Sequence, residues 1–373
     1  MSKLLIISHT EHYLDANGTI VGWGSTVTEI NYLTEIFDEI IHIAPFFKDK
    51  APKSSVAYNS KISFIPLKPS GGKFFGKFTI LSNAPYNLWQ IHKAHKKVAI
   101  IQFRAPTGIG LYVLPYLRFI NRKPYWVKYA GNWMGERLPL GNRFQKWWLQ
   151  NMLETTTKVT LNGNWDGVGI NKLAFENPCL SKEDRELGLQ IVNNKSIDNN
   201  YNYCFVGGLN KNKGIKEFVE VYKNLQHSKL GSLHIVGDGV LRKELEKEAL
   251  TSKNEIIFYG YLPKNKIVEI YKKCNYIVLP SKSEGFPKVI GEGMNYGCIP
   301  IVSDISCIGQ YVQNNYNGYL IHPLTKDKLS SVLLESLYSL SVDSKEYMEI
   351  NYKLAQKFTY QYYLNRIQKE IVG

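Results

Sequence analysis

The chain has 373 residues, with 46 Lys and Arg against 32 Asp and Glu, for a formal net charge of +14. That length is too great for one comfortable hydrophobic core and suits two α/β domains. No run of about twenty apolar residues is available to span a bilayer, and Met-Ser-Lys-Leu-Leu-Ile-Ile leads directly into a strand rather than a signal peptide. Cys179, Cys204, Cys274, Cys298 and Cys307 are scattered without metal spacing, and their odd number suits a reducing compartment, so they are assigned to packing.

In chain order, Leu4 to Ser8, Ile41 to Ala44, Ile62 to Leu67, Val98 to Phe103, Trp126 to Tyr129 and Val159 to Leu161 are apolar runs separated by longer amphipathic stretches. That alternation predicts a parallel sheet covered by helices. The first strand ends Ile7-Ser8-His9-Thr10 without G-x-G-x-x-G, and no G-x-x-x-x-G-K-[ST] occurs anywhere. Nicotinamide and P-loop chemistry are therefore not expected. His9 and His12, just past this strand, are candidate polar partners. Gly22-Trp23-Gly24-Ser25 precedes Thr26-Val27-Thr28-Glu29, a capping-box pattern that starts a helix at the sheet's carboxyl edge. Arg104, at the end of the fourth strand, faces the same edge by topology and is a candidate acceptor or phosphate contact. Ser181 to Asn202 is polar with repeated Asn and reads as a linker. Cys204 to Val206 then restarts the strand–helix alternation.

The richest segment is 279–303. Ile277 to Leu279 suits a buried parallel strand, and Pro-Ser-Lys-Ser-Glu-Gly reads as its carboxyl-end loop. Pro287 fits the first position of a helix, leaving the amides of Lys288 and Val289 free to meet phosphate. Glu284 then lies in the loop and Glu292 more than a turn inside the helix, with seven residues between them. Carboxylates accept paired sugar hydroxyls well. Gly291 and Gly293 flank Glu292 where a helix prefers alanine, which predicts a neighbour or a ligand at close range.

At these residues the chain resembles the retaining group 1 glycosyltransferases, the glycogen synthase-like family four. Glu284 and Glu292 meet its E-x7-E motif, with Gly285 and Phe286 in the usual Glu-Gly-Phe. Val206-Gly207-Gly208-Leu209 followed by Lys213-Gly214 is similar to its Gly-rich turn and Lys-Gly pair. Ile235-Val236-Gly237-Asp238-Gly239 is similar to its Gly-x-Gly strand end, and Phe258-Tyr259-Gly260-Tyr261-Leu262 to the strand and loop beside the base. The resemblance covers about residues 200–325; the amino-terminal half agrees in layout alone.

The resemblance implies a GT-B fold of two Rossmann-like α/β domains with parallel sheets facing across a cleft. The expected division is an acceptor-binding domain over 1–185, a linker over 186–200, a donor-binding domain over 201–355 and a last helix over 356–373 crossing back to the first domain. It implies transfer with retention by a front-face route that needs no protein nucleophile. Glu284 and Lys213 are the catalytic candidates. Gly207, Gly208, Lys211, Gly237, Gly239, Tyr261, Leu262, Gly285, Phe286, Pro287, Lys288, Val289 and Glu292 are expected to hold the donor, with Glu292 on the ribose. Gly22, Trp23, Gly24, His9, Arg104 and Asn132 are the acceptor-side candidates. No Asp-x-Asp pair is present to hold a divalent ion on a diphosphate, so no metal and no resident cofactor are expected, and the donor's charge falls to protein cations and amides. The chain departs from its relatives twice: Gly208 stands where many carry Arg, and Tyr129-Ala130-Gly131-Asn132-Trp133 stands where a His is frequent. Asn132 can hydrogen-bond a hydroxyl but is no base at neutral pH.

Charge points to the acceptor. From Lys50 to Gly135 there are fourteen Lys or Arg and no Asp or Glu, and Arg137, Arg143 and Lys146 continue the bias beside Trp147 and Trp148. Such a field suits an anionic membrane surface; no RNA-binding or helix-turn-helix signature accompanies it, so nucleic acid is not expected. The expectation is a cytoplasmic enzyme, peripheral on the inner face of the membrane, moving a sugar from a nucleotide sugar to a lipid-linked oligosaccharide of bacterial capsule, O-antigen or exopolysaccharide. A non-catalytic sugar-nucleotide-binding module and a sugar-nucleotide epimerase are the alternatives.

Overall fold

The computed structural model describes residues 3–70, 78–135, 138–195 and 200–373, apart from the side chains of 339–343. Arg137 and residues 196–199, near the end of the expected linker, lie outside the described residues. The chain forms two units, Met1–Glu176 with Tyr363–Gly373, and Asn177–Tyr362.

In the first unit the order is β1 (Lys3–Ile7), β2 (His12–Leu14), β3 (Ile20–Trp23), α1 (Gly24–Leu33), β4 (Glu39–Pro45), β5 (Ser55–Ala57), β6 (Ile62–Leu67), α2 (Thr79–Ser82), α3 (Ala84–His95), β7 (Ile100–Ala105), α4 (Gly110–Phe119), β8 (Tyr125–Tyr129), α5 (Leu140–Asn151), β9 (Lys158–Leu161) and β10 (Lys172–Ala174). A seven-stranded parallel sheet runs β10-β9-β8-β7-β1-β4-β6, and β2-β3-β5 form a small antiparallel sheet. Alternation along β1 divides the core. Leu5 and Ile7 join Ile91, Val113, Leu117 and Leu149 on the α3–α4–α5 side. Leu4 and Ile6 join Ile30 and Leu33 of α1 and Tyr363, Leu364 and Ile367 of the chain's end. Each of the six apolar runs read from sequence overlaps a strand, with Val98, Ala99 and Ser8 falling outside; β2, β3, β5 and β10 are three or four residues long, too short for periodicity to mark.

The capping box is not formed. Helix α1 begins at Gly24 with Trp23 at its N-cap and no side-chain cap. Glu29 lies inside the unit instead, its Oε1 accepting from Lys128 Nζ at 2.6 Å, Arg104 Nη1 at 3.0 Å and the Tyr363 hydroxyl at 3.2 Å. Two cations taken out of water require such a counter-charge.

The second unit contains α6 (Lys182–Asn194), β11 (Tyr201–Val206), α7 (Ile215–Tyr222), β12 (Leu230–Val236), α8 (Arg242–Ala249), β13 (Ile256–Gly260), α9 (Lys264–Lys273), β14 (Tyr276–Leu279), α10 (Lys288–Asn295), β15 (Ile299–Ser303), β16 (Tyr319–Ile321) and α11 (Lys326–Ala355). Helix α12 (Tyr360–Ile367) follows and ends in the first unit. The parallel sheet runs β13-β12-β11-β14-β15-β16. The region read as a linker is largely α6, and the unit begins at Asn177 rather than after residue 185. Ser181 and Asp184 make a reciprocal capping box, and the Tyr296 hydroxyl donates to Asp184 Oδ1 at 2.8 Å. Ile191 and Val192 are buried. The polar composition was the outer face of an amphipathic helix.

Candidate active site

In the second unit the chain builds β11, β12 and β13 in one direction, then returns to build β14, β15 and β16 in the other. The strand order therefore reverses between β11 and β14, and in open α/β sheets ligands bind at the carboxyl ends of the strands beside such a reversal. Both catalytic candidates lie there. After β11, the Asn210 side chain caps a single 3₁₀ turn, Lys211–Lys213. After β14, residues 280–287 form the facing loop. Backbone and side chain bind the two segments together: Lys282 N donates to the Asn212 carbonyl at 2.7 Å, and Asn212 Nδ2 donates to the Ser283 carbonyl at 2.8 Å. This brings Lys213 Nζ to 2.5 Å from Glu284 Oε1, with the two side chains 24% and 11% exposed. The ion pair stands at the carboxyl ends of the strands, beside the reversal.

The glycines of this edge are required by backbone proximity. Gly214 has φ of +66°, and a Cβ there would stand 1.9 Å from the Pro280 carbonyl oxygen. A Cβ on Gly237 would meet the Gly207 oxygen at 1.9 Å, and one on Gly239 the Leu209 oxygen at 2.5 Å. Gly208 is different, because its Cβ would approach only Asn210 Nδ2, at 3.2 Å. A Cβ is thus not blocked by backbone there, in contrast to Gly214, Gly237 and Gly239. Lys211 and Tyr261 are exposed, and Leu262 and Val289 pack partly buried against the core.

Pro287 is the N-cap of α10 rather than its first helical residue, and Lys288 takes that place. The reason is the extended ψ of 119° at Pro287. Phe286 is buried, stacked on Phe358 at 4.7 Å, and the Gly285 carbonyl accepts from Cys307 Sγ at 3.5 Å. Gly291 and Gly293 are explained by protein neighbours: a Cβ at either would lie 2.9 Å from Phe358 Cδ2 or from Ile277 Cγ2. Glu292 is half-buried, and burial raises the pKa of its carboxyl. Its Oε2 accepts from the Tyr271 hydroxyl at 3.2 Å, and Tyr271 stacks on Tyr296 at 5.8 Å. Sequence reasoning missed Tyr271; the signal available was a tyrosine on the buried face of α9. A cavity of about 640 Å³, lined by Asn202, Ser232, His234, Glu255 and Lys273, opens at the opposite, amino edge of this sheet.

In the first unit the order reverses between β1 and β7. His9 follows β1, and burial lowers its pKa. Gly22 lies in β3 against His12, whose Nε2 would be 2.4 Å from a Cβ there. Trp23 is 58% exposed, and Gly24 N donates to the Ser54 carbonyl at 3.0 Å. Asn132 Oδ1 accepts from Met134 N at 3.0 Å and so shapes its own turn. Arg104 differs from expectation: its guanidinium is met by Glu29 within the unit.

A relay that sequence reasoning did not assemble lies beside them. His12 Nδ1 faces the Thr10 carbonyl at 2.8 Å and must donate. Its Nε2 then accepts from the Tyr58 hydroxyl at 2.5 Å, the Tyr58 oxygen accepts from His42 Nδ1 at 2.5 Å, and His42 Nε2 accepts from the Ser8 hydroxyl at 2.8 Å. Every group is neutral and each proton position is fixed by its neighbour. Burial brings the His12 pKa down to about 4. The one sequence signal was His42 within the apolar run Ile-Ile-His-Ile-Ala.

The fold is that of the GT-B glycosyltransferases. The chain superimposes over its full length on Anabaena HepE in complex with UDP and glucose, with a TM-score of 0.68, 17% identity and coverage of 100% of each chain. Residues 190–353 match the family described as glycosyl transferases group 1, so the chain carries a group 1 glycosyltransferase domain. It is 32% identical over 162 residues to the Escherichia coli UDP-Gal:alpha-D-GlcNAc-diphosphoundecaprenol alpha-1,3-galactosyltransferase, covering 42% of this chain and 40% of that one. It is 26% identical over 180 residues to the lipopolysaccharide 1,6-galactosyltransferase of Escherichia coli K12, covering 46% and 48%. The matched segments thus span less than half of these curated relatives.

Proposed function

We propose that the protein is a retaining, metal-independent glycosyltransferase that moves a sugar from a nucleotide-diphosphate donor to a lipid-linked oligosaccharide in bacterial surface polysaccharide synthesis. The observation that carries this reading is the Lys213–Glu284 pair at the strand-order reversal of a group 1 domain. The second unit holds the donor: backbone at Gly207, Gly237 and Gly239 approaches the diphosphate, Lys213 meets its charge, and Glu292, oriented by Tyr271, accepts from the ribose hydroxyls. In the transfer step the bond from the anomeric carbon to the acceptor oxygen forms while that to the diphosphate oxygen breaks. The acceptor's proton passes to the departing phosphate on the same face, which preserves the anomeric configuration. Lys213 stabilises charge as it develops on the leaving group, the kind of contribution that is worth a few kcal/mol, and Glu284 orients Lys213 and the sugar.

The lipid-linked acceptor is supported by the diphosphoundecaprenol-linked substrate in the name of one relative and by the basic stretch of the first unit. The same features support a peripheral site of action on the inner membrane face. The deciding experiment incubates the protein with a panel of nucleotide sugars and an undecaprenyl-diphosphate-linked sugar, without added metal and with chelator, and reads product anomericity by NMR. Transfer with retention supports the proposal, and inversion or strict metal dependence refutes it. Gly208 favours a second reading, a donor-binding module without turnover; nucleotide-sugar binding with no transfer across the panel would establish that instead.

A further inference from the structure

The two helical layers of the first unit differ in charge, while seven further lysines fall between them in sequence, at 48–83. Right-handed crossovers place helices on opposite faces of a sheet when the chain's direction of travel across it reverses. Here β1 to β4 travels one way, whereas β6 through β9 travels the other, so α1 covers one face and α3, α4 and α5 cover the other, as the two core clusters show. Residues 4–47, which include α1, contain six Asp or Glu and no Lys or Arg. Residues 84–151, which carry the α3–α4–α5 layer, contain eleven Lys or Arg and the single acid Glu136. Arg104 and Lys128 are consumed by Glu29, but Lys93, Lys96, Lys97, Arg122 and Arg143 are exposed.

The same layer and the short helix before it expose large apolar side chains. Leu81, Trp89, Phe119, Ile120, Leu140 and Trp147 are each at least half exposed. Cations accompany the rings: Lys93 Nζ lies 4.4 Å from the Trp89 centroid, and the Arg118 guanidinium 5.6 Å from that of Phe119. Cationic heads beside amphipathic rings suit the boundary between phosphate headgroups and acyl chains. Nucleic-acid platforms also pair bases with rings, but exposed Leu81, Ile120 and Leu140 have no partner there, whereas an acyl layer accepts them.

We propose that the outer face of α3, α4 and α5, with α2, is an anionic-phospholipid docking surface that seats the first unit on the bilayer with α1 turned away. This rests on the membrane-linked acceptor proposed above and names the face that meets the lipid.

The test is flotation of the full chain with vesicles of phosphatidylcholine alone or with 30% phosphatidylglycerol, at low and high salt, without donor or acceptor. Binding should require phosphatidylglycerol and fall with salt. Each basic residue near an anionic surface supplies roughly a fivefold factor, so Lys93→Glu/Lys96→Glu/Lys97→Glu should lower the partition coefficient by about a hundredfold or more. Trp89→Ala/Trp147→Ala should lower it at both salt concentrations. Glu35→Lys, on the far side, should leave it within about twofold. Circular dichroism confirms that each variant is folded. Equal binding to phosphatidylcholine, wild-type binding by the triple reversal, or retention on single-stranded nucleic acid or an acidic polymer with none on vesicles would overturn the proposal. Sugar transfer is assayed separately with a detergent-dispersed acceptor, so failure of docking and failure of catalysis are distinguishable.

Discussion

At the residue scale, the catalytic proposal concentrates on two charges 2.5 Å apart. Lys213→Ala and Glu284→Ala should each lower kcat by about a hundredfold, corresponding to about 2.7 kcal/mol. Because each orients the other, the double variant should be little worse than either single one. Near-normal kcat in both single variants would eliminate the pair as the catalytic centre. Glu292 has a different expected signature. Glu292→Ala should weaken donor binding more than it lowers kcat, and Tyr271→Phe should weaken it several-fold by removing the hydrogen bond that orients the carboxylate. Burial raises the Glu292 pKa above the ordinary carboxylate range. Donor affinity should therefore fall on acidification at a pH above that of an exposed glutamate, and titration calorimetry across pH 4 to 7 reads this directly. Flat affinity over that range would separate Glu292 from the donor.

At the scale of elements, the site depends on a turn and a loop held against each other. Gly214→Ala adds a Cβ that would stand 1.9 Å from the Pro280 oxygen at a φ of +66°. The turn after β11 and the loop after β14 must then separate. We expect a loss of about 2 kcal/mol or more in stability, seen as a lower midpoint in chemical denaturation, together with reduced kcat because Lys213 moves with the turn. An unchanged midpoint would mean that the turn relaxes without cost. The elements also show where sequence reading succeeds. The long buried strands and the β14–α10 segment were legible because they carry continuous apolar runs and a dense motif. Helix α6 was not, because repeated Asn and charged residues mask an apolar stripe as narrow as Ile191 and Val192. The Ser181–Asp184 capping box was its one local signal. The capping box read at Thr26 to Glu29 failed for the opposite reason: the local pattern was present, but the cations of β7 and β8 claimed Glu29.

At the scale of the whole molecule, acid stability should be set in part by the Ser8–His42–Tyr58–His12 relay, which joins the parallel sheet of the first unit to its small antiparallel sheet. His12 titrates near 4 in the folded chain against an ordinary 6.5. A histidine whose folded pKa is lowered favours the native state while it stays neutral. Its contribution is therefore fully present above pH 6.5 and is lost as the pH falls from 6.5 toward 4. The loss from His12 alone is about 3 kcal/mol, and His42, held well below its usual range by burial, acts in the same direction. Denaturant midpoints at pH 7 and pH 4.5 should show this decline, and His12→Gln should flatten it while lowering stability at pH 7. An identical pH dependence in that variant would remove His12 from the account.

The sequence by itself determined the α/β class, the long buried strands, the family resemblance of the second unit and the charge bias of the first, because periodicity, motif spacing and composition are local properties of a chain. Tertiary structure decided what depends on groups remote in sequence. It paired Lys213 with Glu284 across seventy-one residues, tied Arg104 to Glu29 in an ion pair, explained Gly291 and Gly293 by Phe358 and Ile277, and set Lys93, Lys96, Lys97, Arg122 and Arg143 exposed on or beside the α3–α4–α5 layer. Each of these outcomes is fixed by sheet order and packing, which place charges and close contacts in space in ways that no local pattern encodes.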